Sequence, residues 1–298
     1  MIWKSIGIIF DPRKYTKWVK SHAWVPTVIK INNDLVRVFF AGRDKFNHSN
    51  VGAFNISLED PTKISGVSKK PVLKKGRLGC FDDCAAIPSH IIKFKNKYMM
   101  YYVGWTQGKS VPYISSIGLA TSKNLHGNFK RYSEAPILGR SINDPIFTAS
   151  CFVEKKKKFQ MWYTSNKLWT KKRTLSPKYL IRKATSSDGI SWKNSEDVIK
   201  FKNKKEIAIT RPWIVKLKNK TYMLYSYRGK NYKIGCALKL KSKWKRQDHK
   251  IKLINNNSKF DQSMKEYASV IKYKERYYMF YNGNNFGKEG IGMAILEN

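Results

Sequence analysis

Apolar and polar residues follow one another along this chain in a pattern that recurs at intervals of about 60 residues. Each copy has two short apolar runs around a polar, lysine-rich turn, an order typical of a β-hairpin. The four clearest copies are Ile91–Tyr102 (IIKFKNKYMMYY), Phe152–Tyr163 (FVEKKKKFQMWY), Ile214–Tyr225 (IVKLKNKTYMLY) and Val270–Tyr281 (VIKYKERYYMFY). A weaker copy, VIKINNDLVRVFF, starts at Val28. The pattern therefore predicts five similar units of β structure.

A third apolar run follows each hairpin, as in SIGLATS and GIGMAIL, and a more polar fourth run often comes after it. Four antiparallel strands repeated around an axis form a β-propeller, whose circular arrangement protects the sheet edges. We therefore predict an all-β, five-bladed β-propeller that spans residues 1–298 as a single domain. The first run, WKSIGIIF, has no hairpin partner, so we expect this N-terminal strand to close the ring as the outer strand of the last blade. The alternative is a two-sheet sandwich, which the even spacing disfavours.

The charge of the chain is strongly positive, with 59 Lys and Arg against 20 Asp and Glu and a formal net charge of +39. Three interpretations are open. Nucleic-acid binding is the least favoured, because no recognition motif accompanies the charge. Attraction to an anionic membrane surface would follow if the lysine-rich hairpin turns share one rim of the propeller. The third interpretation is that lysines fill solvated turns.

The four cysteines, Cys80, Cys84, Cys151 and Cys236, lack the spacing of a zinc site. We expect the last three to lie in strands as small buried hydrophobic residues. The histidines also lack ligand spacing, so no metal and no cofactor is predicted, with an oxygen-ligated ion such as calcium left open. No secretory or membrane-spanning run is visible, so the expected location is the cytoplasm, with contact to the inner face of the membrane as an alternative.

Carboxylates recur at one place in the repeat, near the start of the first strand of each unit. In a propeller the first strands line the central channel, so the residues around their starts are expected to converge on one pocket. The candidate catalytic acids found in this way are Asp83, Asp144, Glu206 and Glu266. Asp82 and Asp261 form a second matched pair in the segments FDDCAAIPSHI and FDQSMKEYASV. Acids are scarce in this chain, so the clustering favours a function over chance.

Carboxylates that lie close together in a walled pocket push their pKa values apart, so that one stays protonated while another is ionised. That arrangement cleaves or forms glycosidic bonds. The alternative for each acid is a strand-end carboxylate that accepts hydrogen bonds from backbone N–H groups.

Basic and aromatic residues accompany the acids, near the starts of first strands and in the loops after second strands. Arginine side chains match the geometry of phosphate and carboxylate groups, and tryptophan rings can stack on sugars. Together with the second acid pair, the candidate substrate-binding residues are His22, Arg43, Asp82, Trp105, Trp169, Arg211, Arg228, Asp261 and Tyr267. The alternatives are packing between blades for the tryptophans and ion pairs with the pocket acids for the arginines.

The segments FDDCAAIPSHII, INDPIF, EIAITRPWIV and MFYNGNNFGKEGIGMAIL resemble the five-bladed β-propeller carbohydrate-active enzymes, namely glycoside hydrolase families 43, 32 and 68 and the mannoside phosphorylases of family 130. The chain resembles most a bacterial branch encoded near surface-polysaccharide genes. The resemblance implies a sugar-processing site at the channel mouth, in which Asp83 and Asp144 match inner-strand acids and Glu206 or Glu266 is the third. The chain departs from the family pattern, because SHAWVP contains no acid and no arginine precedes Asp144-Pro145.

Three functions fit these observations. The first is a glycoside hydrolase or phosphorylase that acts on a sugar or glycan, with inorganic phosphate as the attacking group in the second case. Another is a cytoplasmic glycosyltransferase with a nucleotide- or phosphate-linked sugar donor, although no glycine-rich phosphate-binding motif is present. The third is a propeller that binds glycans without catalysis. Nucleic acid is not an expected partner.

Overall fold

The computed structural model of the chain describes residues 1–171, 175–254 and 259–297. Strands and the turns between them make up nearly all of this part, which confirms the predicted all-β class. Its helical structure consists of three short 3-10 helices and the single turn α1: Pro12–Lys14, Asp248–Lys250, Lys259–Asp261 and α1 (Asn284–Gly287). Within these described ranges, no helix has the length and apolar character needed to cross a membrane.

The strands fall into five groups, which follow the five repeats of the sequence. The first group has β2 (Ser21–Lys30), β3 (Leu35–Arg43), β4 (Ser49–Ser57) and β5 (Ile64–Ser65). The second has β6 (Ala85–Phe94), β7 (Lys97–Gln107), β8 (Tyr113–Ser122) and β9 (Lys130–Arg131). The third has β10 (Phe147–Lys155), β11 (Phe159–Lys171), β12 (Leu175–Ser186) and β13 (Lys193–Ile199). The fourth has β14 (Ala208–Leu217), β15 (Lys220–Arg228), β16 (Tyr232–Leu240) and β17 (Lys243–Arg246). The fifth has β19 (Glu266–Tyr273), β20 (Arg276–Asn282), β21 (Ile291–Leu296), β1 (Ile2–Phe10) and β18 (Lys252–Ile254).

Hydrogen bonds join these groups into three sheets, one of five strands and two of eight. Each eight-stranded sheet consists of two groups that meet at a single parallel residue pair, Ser49 with Ala85 in one sheet and Tyr179 with Ala208 in the other. The first strands contact one another in the cyclic order β2, β6, β10, β14, β19 and back to β2. As the sequence predicts, β1 pairs antiparallel with β21 and so joins the last group. The count of five blades in one closed ring, and the single domain, stay predictions.

Every first strand has a β-bulge near its start, where the register to the second strand shifts. Three residues at these bulges, Val25, Arg211 and Tyr267, have φ angles of 54°, 55° and 57°. Left-handed backbone is unusual for such side chains and persists only where the surroundings enforce it. Because a bulge redirects the side chains of its strand, these sites turn residues toward the common axis of the first strands.

Large apolar side chains fill the space between neighbouring groups. Phe10 of β1 stacks on Phe54 of β4 with ring centroids 3.9 Å apart, which ties the last group to the first. Cys151 and Cys236 are buried in strands as small hydrophobic residues, as predicted. Cys84 is only partly buried and lies just before β6, because the first strand of that group begins one residue later than expected.

A tyrosine near the middle of the second strand donates a hydrogen bond to a buried carboxylate in four of the five groups. The pairs are Tyr102 to Asp82 (3.0 Å), Tyr163 to Asp144 (2.8 Å), Tyr225 to Asp248 (2.5 Å) and Tyr281 to Asp261 (2.8 Å). In the first group Phe40 stands in the place of the tyrosine, and the segment before β2, residues 15–20, contains no acid. The hydroxyl and the carboxylate are thus present together or absent together, which is the pattern of a structural pair.

We expect Tyr102→Phe to lower the free energy of unfolding by about 1.5–3 kcal/mol, because the fully buried Asp82 would lose one of its donors. The measurement is urea-induced unfolding at neutral pH. Tyr98→Phe is the matched control on the same strand, since the Tyr98 hydroxyl makes no hydrogen bond to any residue that the structure describes. Equal stability of the two variants would contradict a structural role for the pair.

Candidate functional site

The main candidate site is a cavity of about 330 Å³ at the end of the groups where first strands begin. Antiparallel pairing brings the ends of second strands and the starts of third strands to the same place, as in the pairs Ala85–Trp105 and Trp105–Ser115. Residues from all five groups therefore line one space. Of the predicted binding residues, those in the lining are Arg43, Trp105, Trp169, Arg228 and Tyr267.

Aromatic rings form much of the cavity wall and support one another. Trp105 stacks on Tyr113 at 4.6 Å with an interplanar angle of 10°, and Trp169 meets the edge of Tyr113 at 5.5 Å. Trp24 packs edge-on against Trp105 at 5.5 Å. One side of the Trp105 ring is thus covered by other side chains. Trp105 and Trp169 therefore both pack against neighbouring aromatic rings and line the cavity.

Arg43 and Arg228 bring positive charge into this aromatic wall. The guanidinium of Arg43 lies 5.3 Å from the Trp24 ring centroid and donates to Asn47 at 3.2 Å, while burial lowers its pKa. Arg228 lies 5.0 Å from the Tyr232 ring centroid, and within the described residues its N–H groups have no hydrogen-bond partner. Burial acts to lower the pKa of Arg228, but the hydroxyls of nearby tyrosines, Tyr232 first, outweigh burial and raise it.

No carboxylate is among the described residues that line the cavity, so the predicted acid cluster is not found there. Asp144 accepts hydrogen bonds from Tyr163 and Ser165 and forms an ion pair with Arg182 at 3.1 Å. Glu206 is held by the two terminal nitrogens of Arg246 at 2.7 and 3.0 Å. Each of these acids is paired close to its own strands, because a buried carboxylate needs donors nearby. The expectation that the acids converge on one pocket was therefore wrong for these two.

The remaining predicted acids of the second group and Asp261 also have partners near their own strands. Asp82 forms an ion pair with Arg131 at 2.7 Å and also accepts the hydrogen bond from Tyr102. Asp83 accepts the Gly79 N–H at 3.0 Å; burial raises its pKa, but hydrogen bonds, that of Gly79 first, lower it overall. Asp261 is bonded to Tyr281. None of the three lines the cavity in the described part of the chain.

Glu266 is the predicted acid that directly precedes a cavity-lining residue in the sequence. It is fully buried at the first position of β19, next to the cavity-lining Tyr267, and neither carboxylate oxygen has a hydrogen-bond partner among the described residues. Burial raises its pKa well above the ordinary value, and the opposing effects of Arg228 and Tyr267 do not cancel this. Burial therefore favours the neutral, protonated form of the Glu266 carboxyl.

His22 and Arg211 do not line the cavity. His22 has a φ of 62°, and its Nδ1 lies 2.9 Å from the Ser21 hydroxyl. Burial, then the charges of Arg43 and Lys288, lower its pKa to about 4. Arg211 is fully buried and donates to the carbonyls of Ser89 and Pro26, so it joins β14 to β6 and β2. Burial lowers its pKa to about 9.

Sequence reasoning missed several aromatic residues of the wall. Three tyrosines of third strands lie near Arg228: Tyr113 and Tyr232 at the first positions of β8 and β16, and Tyr179 within β12. The hydroxyls of Tyr179 and Tyr232 are hydrogen-bonded to each other. The signal was visible in the sequence, since the runs YISSIG, YLIRKA and YKIGCA all begin with tyrosine. The described residues form no cluster of three or more His, Cys, Asp or Glu suited to a metal ion.

No family model matches the chain. Two proteins of Mycobacterium tuberculosis, Rv1502 and MT1551, are each 32% identical to it over 301 aligned residues, and the alignment covers 100% of both partners. The chain belongs to the family of these mycobacterial proteins. The bacterial branch named from the sequence stays a prediction.

Solved structures extend the comparison to fold. A glycoside hydrolase matches with a TM-score of 0.76 and 18% identity, over 99% of this chain and 91% of that one. A member of the GH130 family of mannoside phosphorylases, which contains glycoside hydrolases that target β-1,2 mannosidic linkages in Candida mannan, matches with a TM-score of 0.71 and 15% identity, over 94% and 85%. The chain therefore has the fold of the glycoside hydrolase propellers, as its sequence resemblance implies.

Arg211 also shapes the titration of the buried His90. His90 accepts the Val153 N–H at 3.3 Å, and burial, followed by the charge of Arg211, lowers its pKa to about 3. The unfolded chain binds a proton at this residue below pH ~6.5. Stability from the neutral histidine is therefore present above that pH and is lost as the pH falls from 6.5 toward the folded value.

We expect the free energy of unfolding of His90→Gln to depend less on pH than that of the wild type, by about 1 kcal/mol per pH unit between about pH 6 and 5. Denaturant titrations across this range measure the slope. His249→Gln, at an exposed histidine, is the control and should keep the wild-type slope. A wild-type slope in His90→Gln would show that His90 does not titrate with unfolding.

Proposed function

We propose that the cavity binds a sugar that carries an anionic group, and that the protein cleaves or forms a glycosidic bond there. The observation that carries this proposal is Arg228, whose guanidinium reaches an aromatic-walled cavity without a hydrogen-bond partner in the described part of the chain. Guanidinium groups pair with phosphate and carboxylate oxygens through two parallel hydrogen bonds. The fold shared with glycoside hydrolases and mannoside phosphorylases supports the sugar as the rest of the ligand.

The composition of the wall supports an anionic ligand over a neutral one. Arg43 and Arg228 both line the cavity, and its described lining contains no carboxylate to neutralise them. In a cavity walled by Trp105, Trp169 and the tyrosines, water screens this charge less than it would at an open surface. A phosphate-linked sugar would place its charge on the arginines and its ring against the aromatic side chains.

Glu266 is our candidate proton donor. A carboxyl kept neutral by burial can give its proton to a leaving group at a pH where an ordinary carboxyl is already ionised. Glu266 does not itself line the cavity, but Tyr179 and Tyr267 do, and the charge of Glu266 acts on the pKa values of both. A proton from Glu266 would therefore reach the ligand through such a hydroxyl. The attacking group is water in a hydrolase, inorganic phosphate in a phosphorylase and an acceptor sugar in a transferase. Binding of a second anion at Arg43 would favour a phosphorylase over a hydrolase or a transferase.

The ring itself is also part of the proposal. The cyclic contacts among β2, β6, β10, β14 and β19 support five blades around one axis, in a single domain of residues 1–298. A cytoplasmic location, as expected from the sequence, would give the protein access to sugar phosphates and nucleotide sugars. The proposed ligand class is compatible with that location.

We expect sugar 1-phosphates to raise the melting temperature of the wild type. A ligand at 100 times its dissociation constant adds about 2.7 kcal/mol to the free energy of unfolding. For a chain of this size, each kcal/mol raises the melting temperature by roughly 2–4 °C. Arg228→Gln should weaken binding about ten- to hundredfold through the lost charged hydrogen bonds. The panel also contains inorganic phosphate, nucleotide sugars and neutral oligosaccharides. Lys230→Gln, two residues further on and exposed, should respond like the wild type. A panel in which only neutral oligosaccharides bind would reject the anionic ligand.

Glu266→Gln should keep the stability of the wild type at neutral pH, because glutamine resembles the protonated carboxyl in shape and charge. Turnover of the ligand identified in the panel should fall by about 10²–10⁴-fold if Glu266 supplies the proton. Steady-state kinetics and binding are measured side by side. Unchanged turnover with unchanged binding would remove Glu266 from the mechanism.

A second candidate function is glycan binding without catalysis. The absence of a carboxylate from the described cavity lining favours it, because glycosidases commonly place two acids at the scissile bond. This function predicts that wild type and Glu266→Gln bind alike and that neither turns over any ligand in the panel.

A further inference from the structure

The three most exposed large apolar side chains of the described residues lie at the end of the molecule that carries the cavity. The most exposed of them, Ile142 (100%) and Leu78 (91%), lie in the loops that precede first strands. Phe46 (67%) lies in the turn between β3 and β4, next to Arg43 of the cavity. Further exposed apolar residues at this end are Leu168, Leu175 and Phe286, of which the last two also line the cavity.

The opposite end of the groups has a different surface. It includes the connections from third to fourth strands, where Leu240 at the end of β16 is 47% exposed. It also includes the five turns between first and second strands, such as 95–96 and 218–219. No large apolar side chain is exposed in any of these turns, all of which lie in the described part of the chain. The most exposed apolar residues therefore lie at the cavity end, while Ile2, Ile6 and Ile8 on β1 and Leu240 at the opposite end are about half exposed. Several exposed apolar side chains in one region often mark an interaction site.

Lysines complete the surface around the cavity. Four connections between second and third strands each carry one exposed lysine, namely Lys45, Lys109, Lys230 and Lys288, and a fifth exposed lysine, Lys171, ends the second strand β11. None of the five forms an ion pair with a residue that the structure describes. The Lys45 ammonium lies 4.9 Å from the ring centroid of Phe46, so charge and apolar surface are adjacent.

We propose that this cavity face docks on an anionic lipid surface, with the loop lysines on the headgroups and the exposed apolar side chains in the boundary below them. Apolar insertion and electrostatic attraction to anionic lipid act together in proteins that lie on membranes. Charge complementarity selects this occupant, since five lysines without an ion-pair partner in the described residues surround the apolar tips. The docking places the cavity mouth against the membrane. The proposed membrane contact lies at the end of the molecule opposite the lysine-rich hairpin turns. The docking proposal does not depend on the proposed chemistry of the cavity.

Co-sedimentation with vesicles tests the face directly. Wild-type protein should bind vesicles of phosphatidylcholine and phosphatidylglycerol more tightly than vesicles of phosphatidylcholine alone, and added salt should weaken the binding. The variant Phe46→Thr/Leu78→Thr/Ile142→Thr should bind at least about tenfold more weakly. Its matched control is Ile2→Thr/Ile6→Thr/Ile8→Thr, which removes exposed apolar residues from the outer strand β1 and should bind like the wild type.

Charge reversal gives a second, independent comparison. Lys45→Glu/Lys109→Glu/Lys230→Glu should weaken binding to the anionic vesicles by about a hundredfold or more. Lys97→Glu/Lys157→Glu/Lys220→Glu changes the net charge equally at the opposite end and should have a much smaller effect. Wild-type protein that fails to sediment with anionic vesicles would overturn the proposal. A loss of binding in the opposite-end variant equal to that in the loop variant would also overturn it.

An experiment with a soluble ligand distinguishes the docking proposal from the proposed function of the cavity. Thermal shifts by sugar 1-phosphates report on the cavity alone, and vesicle binding by Arg228→Gln reports on the face alone. Arg228→Gln should weaken the first response and keep the second. If it lost vesicle binding as fully as the loop variant, the lipid would be held by the cavity and the docking face would be rejected.

Discussion

The hydrogen bond from a second-strand tyrosine to a buried carboxylate is the interaction on which the arrangement of this protein depends. In three groups it connects the loop before the first strand to the second strand of the same group, as Tyr163 does for Asp144, while in the fourth group Asp248 follows the last strand, β17. A carboxylate without such a donor would carry the full cost of leaving water. With the donor, the loop is held against its own group, and the first strand that follows begins at a defined point. The same bond keeps these acids away from the cavity.

A second constraint acts where the first strands meet. Their bulges turn side chains inward, and the backbone carbonyls exposed by the irregular register need donors. Arg211 supplies them: one buried guanidinium serves Ser89, Pro26 and Thr27 from two other groups. Among the described residues no carboxylate forms an ion pair with Arg211, so no carboxylate neutralises its charge. Together with Arg43 and Arg228, it adds positive charge to the region where the first strands meet.

The sequence was sufficient to predict the hairpins, the N-terminal strand and the propeller-like class. Apolar residues that alternate around lysine-rich turns indicate which segments pair with their neighbours in the chain. The ligand-facing residues could be predicted only in part. Trp105, Trp169, Arg43 and Arg228 lie at the ends of second strands, and topology alone places them at the cavity. The acids could not be assigned in this way, because their position along the chain does not reveal their partners. Asp144 and Glu266 occupy similar places near first strands, yet one meets Arg182 and the other meets no donor in the described residues.

The pairing of β1 with β21 has a consequence for the synthesis of the protein on the ribosome. Each of the first four groups is continuous in sequence and can form as it emerges, but the fifth needs strands from both ends of the chain. At about 5–20 residues per second, β1 waits from roughly a quarter of a minute to a minute for its partner. During that time Trp3 lacks its core and the row of Ile2, Ile6 and Ile8 borders an open strand edge. The nascent chain is therefore most exposed to aggregation through its first strand, until the last strand is made.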